Sequence, residues 1–326
     1  MPQSSTLYAV ARLKMLRRHF LTANQMQRLL SAPDYEQARK VLLEAGYIQD
    51  SQADWDKAAA GRAQAAGEIV RKLTPDAALS DAFMLRYDAH NLKTFFKARI
   101  LGIAPEGISS SGTIDPEVLR HAVADNRYQS LPAPLAQAMK MLEKQAAAQA
   151  DPMAIDVRLD QAMFIMMHQA LARSASPAAR AWLEMKADFV NLLSFLRLRR
   201  MTASLSFEEV LVKGGSIGTA KFITHQNKPE LLVSLYHIPY GKKVSDLARA
   251  ALEDSTQIPV LERMLEQLLR KPFAESRLRI DSPDAAVSYL MDVEQETASV
   301  RLIMTGKRNG FSQEAIEERL RASYGG

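Results

Sequence analysis

Apolar residues recur at spacings of three and four along most of the chain. Met26, Leu29 and Leu30 follow Thr22, a residue suited to cap a helix start. Val118, Leu119 and Val123 follow Asp115-Pro116, a cap and then a proline at the first helical position. Ile258, Leu261, Leu265 and Leu268 form a further stripe. Between these positions Ala, Leu, Arg, Gln, Glu and Met dominate, and all favour helices. Strand-like alternation is nearly absent, since residues 210–212 and 231–236 are short and fit either state. The pattern therefore predicts an all-α protein. Glycine and proline gather at joints: residues 102–112 (GIAPEGISSSG), 213–218 (KGGSIG), 131–134 and Asp151-Pro152. The Ala-rich stretch 145–150 reads as a helix end rather than a low-complexity tail.

A repeat runs through this pattern. Asp88, Asn91, Leu92, Phe95 and Arg99 recur without a gap, 100 residues on, as Asp188, Asn191, Leu192, Phe195 and Arg199, with Thr94 matched by Ser194 and Lys97 by Arg197. A weaker copy follows at an offset of 108, with Glu296, Ser299, Val300, Arg301, Ile303, Met304 and Lys307. A second block repeats as well: Ser111-Gly112-Thr113-Ile114 parallels Gly214-Gly215-Ser216-Ile217. The end of the chain echoes its beginning, Gly310-Phe311-Ser312 with Ile316 and Leu320 against Phe20-Leu21-Thr22 with Met26 and Leu30. Solenoid units usually run about 20–50 residues, so a repeat near 100 points to three small helical domains of one design. The expected divisions are 1–105, 106–205 and 206–326, the first completed by or packed on the C-terminal segment, in a ring-like or funnel-like body with pseudo-threefold symmetry.

On a helix, Asp88 and Asn91 stand at i and i+3, with Phe95 at i+7, so the polar pair shares a face with an aromatic ring. Asp188, Asn191 and Phe195 do the same. A buried Asp and Asn need hydrogen-bond partners, and the simplest reading is a structural clamp tying each helix to a neighbouring helix end or loop. The basic residues at the end of each copy suit the negative end of the helix dipole.

Composition narrows the function. The 326 residues carry 42 Lys and Arg against 37 Asp and Glu, a formal net charge of +5, with 47% hydrophobic residues. That is an ordinary balance for a chain with a real core. There is no cysteine, which excludes disulfides, thiolate catalysis and Cys-based zinc sites. The first ten residues lack the apolar run of a signal peptide. No charge-free run exceeds 12 residues, well short of the roughly 20 needed to span a bilayer.

Several catalytic and binding chemistries compete with plainer structure. Gly214-Gly215-Ser216-Ile217-Gly218 matches a nucleophile elbow, with Glu230 and His237 downstream, but only 21 residues separate Ser216 from His237 and the alternating strand–helix context is missing. A glycine-rich loop before a helix explains it better. Gly102 and Gly107 have P-loop spacing, yet Ile108-Ser109 stands where the phosphate-binding lysine belongs, and Lys242-Lys243 follow Gly241 without the upstream glycine. The six histidines (His19, His90, His121, His168, His225 and His237) include no pair within ten residues, which argues against a local zinc motif. His168 lies among Met163, Phe164, Met166 and Met167, a setting for a core or interface histidine. The basic runs Arg12-Leu13-Lys14 with Arg17-Arg18, Arg197 with Arg199-Arg200, and Lys242-Lys243 are not interleaved with aromatics as a nucleic-acid surface would be. A helical scaffold or a nucleic-acid binder nonetheless stands as the alternative. No cofactor, catalytic or metal-binding residue is expected.

The ordered set of three motifs resembles the C subunit of rotary V-type and A-type ATPases, related to the eukaryotic d subunit. The copies at Asp88 with Asn91 and Lys93, at Asp188 with Asn191, and at Glu296 with Arg301 look like that family's three, and Tyr8, Ala11, Arg12, Phe20, Leu21 and Thr22 look like its N-terminal signature. Leu193 and Ser299 depart from the pattern where a basic residue and Asn are usual. The resemblance implies an all-helical, pseudo-threefold funnel without catalysis, a peripheral rotor component on the cytoplasmic side of the membrane. Its partners would be central-stalk subunits of the D and F type and the membrane proteolipid ring, at one copy per complex, in ATP-coupled proton or sodium transport. Lys14, Arg17, Arg18, Arg197, Arg199, Arg200, Lys242 and Lys243 are the candidate contacts with those partners.

Overall fold

The structure is a computed structural model that describes residues 6–146, 151–201, 205–274 and 282–324; part of the alanine-rich stretch, residues 147–150, lies outside them. The described residues are helices and connecting loops, with no strand among them. In chain order the α-helices are α1 Thr6–Leu16, α2 Ala23–Ser31, α3 Tyr35–Glu44, α4 Trp55–Leu73, α5 Ala77–Leu101, α6 Pro116–Ala124, α7 Ala133–Ala146, α8 Pro152–Leu171, α9 Pro177–Leu198, α10 Phe207–Val210, α11 Thr219–His225, α12 Pro229–Ser234, α13 His237–Tyr240, α14 Lys242–Glu253, α15 Ile258–Ala274, α16 Asp284–Arg308 and α17 Gln313–Tyr324.

Short polar residues set where these helices begin. Thr22 and Gln25 form a reciprocal capping box on α2, and Ser206 with Glu209 forms another on α10. Asp34, Asp54, Asp76, Asp115, Asp151 and Ser176 each accept a backbone N–H from the first turn that follows, and the last three are followed by a proline that needs no donor there. Asp151-Pro152 thus opens α8. Gly102 closes α5 in the left-handed region at φ 66°, donating to Ala98 and Arg99 carbonyls. The two strand-ambiguous segments resolve by packing: 231–236 is largely α12, and only Leu211-Val212 runs extended, just after α10.

The chain divides into two compact units, Met1–Pro75 with Glu262–Gly326, and Asp76–Leu261. In the first, the C-terminal helices return to the N-terminal ones: α16 packs on α4, α1 and α3, and α17 packs on α16 and α2. Its core joins Leu29, Leu42, Trp55 and Ala59 to Val300, Ile303, Met304 and Ile316. Gly306 permits the α16–α17 approach, since a Cβ there would stand 2.7 Å from Ile316. In the second unit α5 packs on α8 and α6, and α8 on α7, around Leu92, Phe96, Leu119, Met139, Leu142 and Leu159. Burying each such side chain is worth about 1.5–3 kcal/mol. Helices α9 to α14 complete this unit, with Tyr236, Phe222 and Phe189 fully or almost fully buried.

Candidate functional site

The repeated polar residues build three clamps on the three helices that carry the motif. On α5, Asp88 and Asn91 are fully buried. Asp88 accepts from the Thr113 amide at 2.9 Å, the Thr113 hydroxyl at 2.6 Å and the Ile114 amide at 3.1 Å. Asn91 grips the backbone of Ser109 from both sides, donating to its carbonyl at 2.7 Å and accepting from its amide at 2.9 Å. Gly112 is required by the closeness of this loop, because a Cβ there would lie 2.1 Å from Asp88 Oδ1. The loop after α5 is thereby held on the helix it has just left, and it delivers the chain into α6.

The clamp on α9 repeats this geometry. Asp188 accepts from the Ser216 hydroxyl at 2.7 Å and the Ile217 amide at 3.1 Å, and Asn191 pairs with the Val212 carbonyl and amide at 2.9 and 2.8 Å. A Cβ on Gly215 would sit 1.9 Å from Asp188 Oδ1. The second repeated block, SGTI and GGSI, is thus the loop half of the clamp. Two tyrosines are added here: the Tyr240 hydroxyl donates to Asp188, and the Tyr236 hydroxyl donates to the Asp188 carbonyl at 2.7 Å. Burial raises the Asp188 carboxyl above the ordinary aspartate range, while Tyr240, Ser216 and Ile217 pull it down. Burial likewise raises both tyrosines. No sequence signal marks Tyr236 and Tyr240, because the first copy has no counterpart to them.

The Ser216 hydroxyl, which fits an elbow motif on paper, has a carboxylate and a tyrosine as its partners rather than an imidazole. Glu230 is paired with Arg249 at 3.0 Å, and His237 is exposed at the start of α13. The neighbouring Gly214 is held at φ 94° against His168, whose Nε2 would be 1.9 Å from a Cβ on that glycine. Burial lowers the His168 pKa, so this imidazole serves as a neutral packing group for the loop.

The third clamp, on α16, closes on the other end of the chain. Glu296 accepts from the Leu21 amide at 2.6 Å and from Arg62 at 3.0 Å. The extra methylene of Glu lets the carboxylate reach a backbone that carries side chains, so no glycine is needed. Thr22 spends its hydroxyl on capping α2, not on the clamp. Ser299 is too short to grip a loop and donates instead to the Gln295 carbonyl of its own helix at 2.8 Å.

The basic motif positions differ in the same way. Lys93 pairs with Asp160 of α8 at 2.6 Å, and Arg301 pairs with Asp56 of α4 at 2.7 Å, each joining its motif helix to the long helix beside it. Leu193 has no charge to offer at this place. A further set was visible only in part from sequence. Arg99 donates to the Val123 carbonyl near the end of α6, Arg200 to the Ala251 and Leu252 carbonyls at 2.9 Å near the end of α14, and Lys307 to the Ala32 carbonyl just after α2. Each motif helix, or for α9 the turn just after it, therefore places a cation on carbonyls left open at the end of another helix.

Among the candidate contact residues, Arg17 is engaged with Asp292 at 2.9 Å and with Ser288, and Arg200 with α14. Arg199 lies over the Phe195 ring. Lys14, Arg18, Arg197, Lys242 and Lys243 are exposed. The two lysines open α14 while Arg200 grips its far end, nine residues or about 14 Å along. A cleft of ≈ 690 Å³ beside the third clamp is lined by Lys14, Arg17, Leu21, Asp292 and Glu296, charges of both signs. Among the described residues no group of three or more His, Asp or Glu is placed to hold a metal. Nor is any helix there long and apolar enough to cross a membrane.

Three hydrogen-bonded clamps, one on each motif helix, are what the repeated residues build. A family described as ATP synthase (C/AC39) subunit matches residues 9–319, and the chain belongs to that family, the structural and non-catalytic C subunits of V/A-type ATPases. It is 23% identical to the C subunit of the A-type ATP synthase of Methanosarcina barkeri over 73% of this chain and 68% of that protein. The corresponding protein of Haloquadratum walsbyi is 26% identical over 70% of this chain and 60% of its own length. The C subunit of the V-type sodium ATPase of Enterococcus hirae is 22% identical over 78% of both chains.

Proposed function

We propose that this chain is the axial piece of its rotary complex, joining the central stalk of D- and F-type subunits to the membrane proteolipid ring and carrying torque between ATP turnover and proton or sodium movement. In this reading it is a peripheral component on the cytoplasmic side, present once per complex, with three repeat domains (1–105, 106–205 and 206–326) arranged as a pseudo-threefold funnel. The observation that supports it best is the recurrence of one carboxylate clamp on α5, α9 and α16 within a family match covering nearly the whole chain. A part that transmits torque must resist deformation at its joints, and each clamp pins a loop to a long helix with buried hydrogen bonds. The exposed cations Lys14, Arg18, Arg197, Lys242 and Lys243 are the proposed meeting points with partner surfaces.

The test is affinity purification of the tagged chain from gently solubilised native membranes, with mass-spectrometric identification of what accompanies it. Stalk and proteolipid subunits are expected at one copy of this chain per complex. Their absence, with a soluble partner or nucleic acid in their place, would overturn the stalk-to-ring role.

A further inference from the structure

The charge of this protein is concentrated at one end. Residues 1–33 contain Arg12, Lys14, Arg17, Arg18 and Arg28 and no acidic residue, the first being Asp34. They account for the whole net charge of +5, since the remainder carries 37 basic and 37 acidic side chains. Arg17 is consumed internally by Asp292. Arg12, Lys14 and Arg18 are exposed and engage no described residue in an ion pair.

Helix α1 carries apolar residues on two opposite sides. Ala9, Val10 and Leu13 are buried, with α16 packed against the helix. At about 100° per residue, Leu7, Ala11, Met15 and Tyr8 fall together on the side facing away from them. Leu7, Tyr8 and Met15 are 60%, 58% and 50% exposed. Lys14 and Arg12 fall on the two flanks of this outer ridge, and Arg18, in the 3-10 turn that follows α1, stands at the end of the ridge itself. An apolar ridge with long cations on both sides is the arrangement of a helix lying in a headgroup layer, and Lys14 borders as well the cleft that holds Asp292 and Glu296. There the ridge enters the acyl boundary and the lysine and arginine stems reach back to phosphate. We propose that the outer face of α1 docks on an anionic phospholipid surface. This docking gives Lys14 and Arg18 to lipid rather than to a partner subunit and leaves Arg197, Lys242 and Lys243 for the stalk and ring, so it stands or falls separately from the torque-carrying role.

The experiment is co-sedimentation of the full-length protein with vesicles of phosphatidylcholine, alone or with one-third phosphatidylglycerol. Binding is expected to the anionic vesicles, weakening as salt is raised. Substituting Arg12→Gln, Lys14→Gln and Arg18→Gln together should reduce it by on the order of a hundredfold, at about fivefold per cation. Leu7→Ser with Met15→Ser should reduce it with the charges intact. All five positions are exposed, so thermal unfolding of these variants should match the parent. Equal binding by parent and variants, or no binding to anionic vesicles, overturns the proposal. Capture by immobilised polyglutamate that is lost in the charge variant, without vesicle binding, would also overturn it and assign the face to an acidic protein.

Discussion

The clamps on α9 and α16 occupy equivalent places in the repeat and solve one problem differently. At Asp188 a short carboxylate meets a glycine backbone, and every donor around it is neutral: a serine, a tyrosine and an amide. At Glu296 a longer carboxylate meets a leucine backbone and is balanced by Arg62. The first is a deeply buried network within one continuous stretch of chain. The second joins residues 275 apart and binds the two ends of the chain into one unit. Side-chain length and glycine are therefore exchanged together: an Asp clamp needs Gly, and a Glu clamp does not. With neutral donors alone, burial leaves the Asp188 carboxyl raised in pKa, whereas Glu296, also buried, has a guanidinium to balance its charge.

The largest difference should come from deleting each carboxylate. Asp188→Ala leaves the buried Ile217 amide unmet and the Tyr240 hydroxyl with only Ser216 for a partner, and should cost about 2–5 kcal/mol, from roughly 1–3 kcal/mol for each group that loses its acceptor. Glu296→Ala strands one amide and a partly exposed arginine and should cost about 1–2 kcal/mol. Urea unfolding followed by circular dichroism measures both, and equal losses would end the distinction. If Asp188→Ala instead keeps full stability but abolishes coupling in the assembled complex, the residue is not a structural clamp.

Next in size are the length-and-glycine substitutions. Gly215→Ala and Gly112→Ala should each cost about 1–3 kcal/mol through overpacking, since the new methyl would meet the Asp carboxylate at 1.9 and 2.1 Å. Glu296→Asp should weaken the third clamp by withdrawing its carboxylate from Leu21. Thermal melts of the three proteins test the pairing of Asp with Gly, and a harmless Gly215→Ala would contradict it.

Asn191→Ser should convert the middle clamp toward the third and cost about 1–3 kcal/mol for two lost backbone hydrogen bonds. Lys93→Leu, which copies Leu193, should cost no more than about 1 kcal/mol, as expected of a partly exposed pair. Paired denaturation curves would show the order reversed if the charge rather than the Asn were the stronger tie.

The smallest effect is a pH dependence confined to the middle clamp. The Asp188 pKa is raised in the folded protein, so the neutral acid is the form folding favours. Its contribution is largest below the ordinary aspartate pKa and falls as pH rises through the raised value. The stability of the parent relative to Asp188→Asn should therefore increase between about pH 7 and about pH 4. A difference that shrinks on acidification would show the carboxylate to be the favoured form.

The helical content was legible in the spacing of apolar residues, and the helix starts in their caps and prolines, because both are local effects. The recurrence of Asp and Asn on a helical face, together with the SGTI and GGSI blocks, pointed to a clamp. The identity of its loop half was not legible, since spacing along the chain does not tell which backbone approaches a carboxylate. Tyr236 and Tyr240 were invisible for a similar reason: they lie 48 and 52 residues from Asp188, with no copy elsewhere to draw attention to them. Arg17, basic on paper and fit for any anionic partner, is turned onto Asp292, and Arg200, although exposed, donates to the open carbonyls of α14.

By itself, then, the sequence determined the helices, their ends, the repeat and the family. These follow from residues close together in the chain or from a recurring pattern. Only the tertiary structure decided what each clamp holds, which cations face outward, and that the ends of the chain meet across Glu296 and Leu21. Those outcomes depend on close approaches between residues far apart in sequence, where one methylene or one Cβ separates a hydrogen bond from a collision.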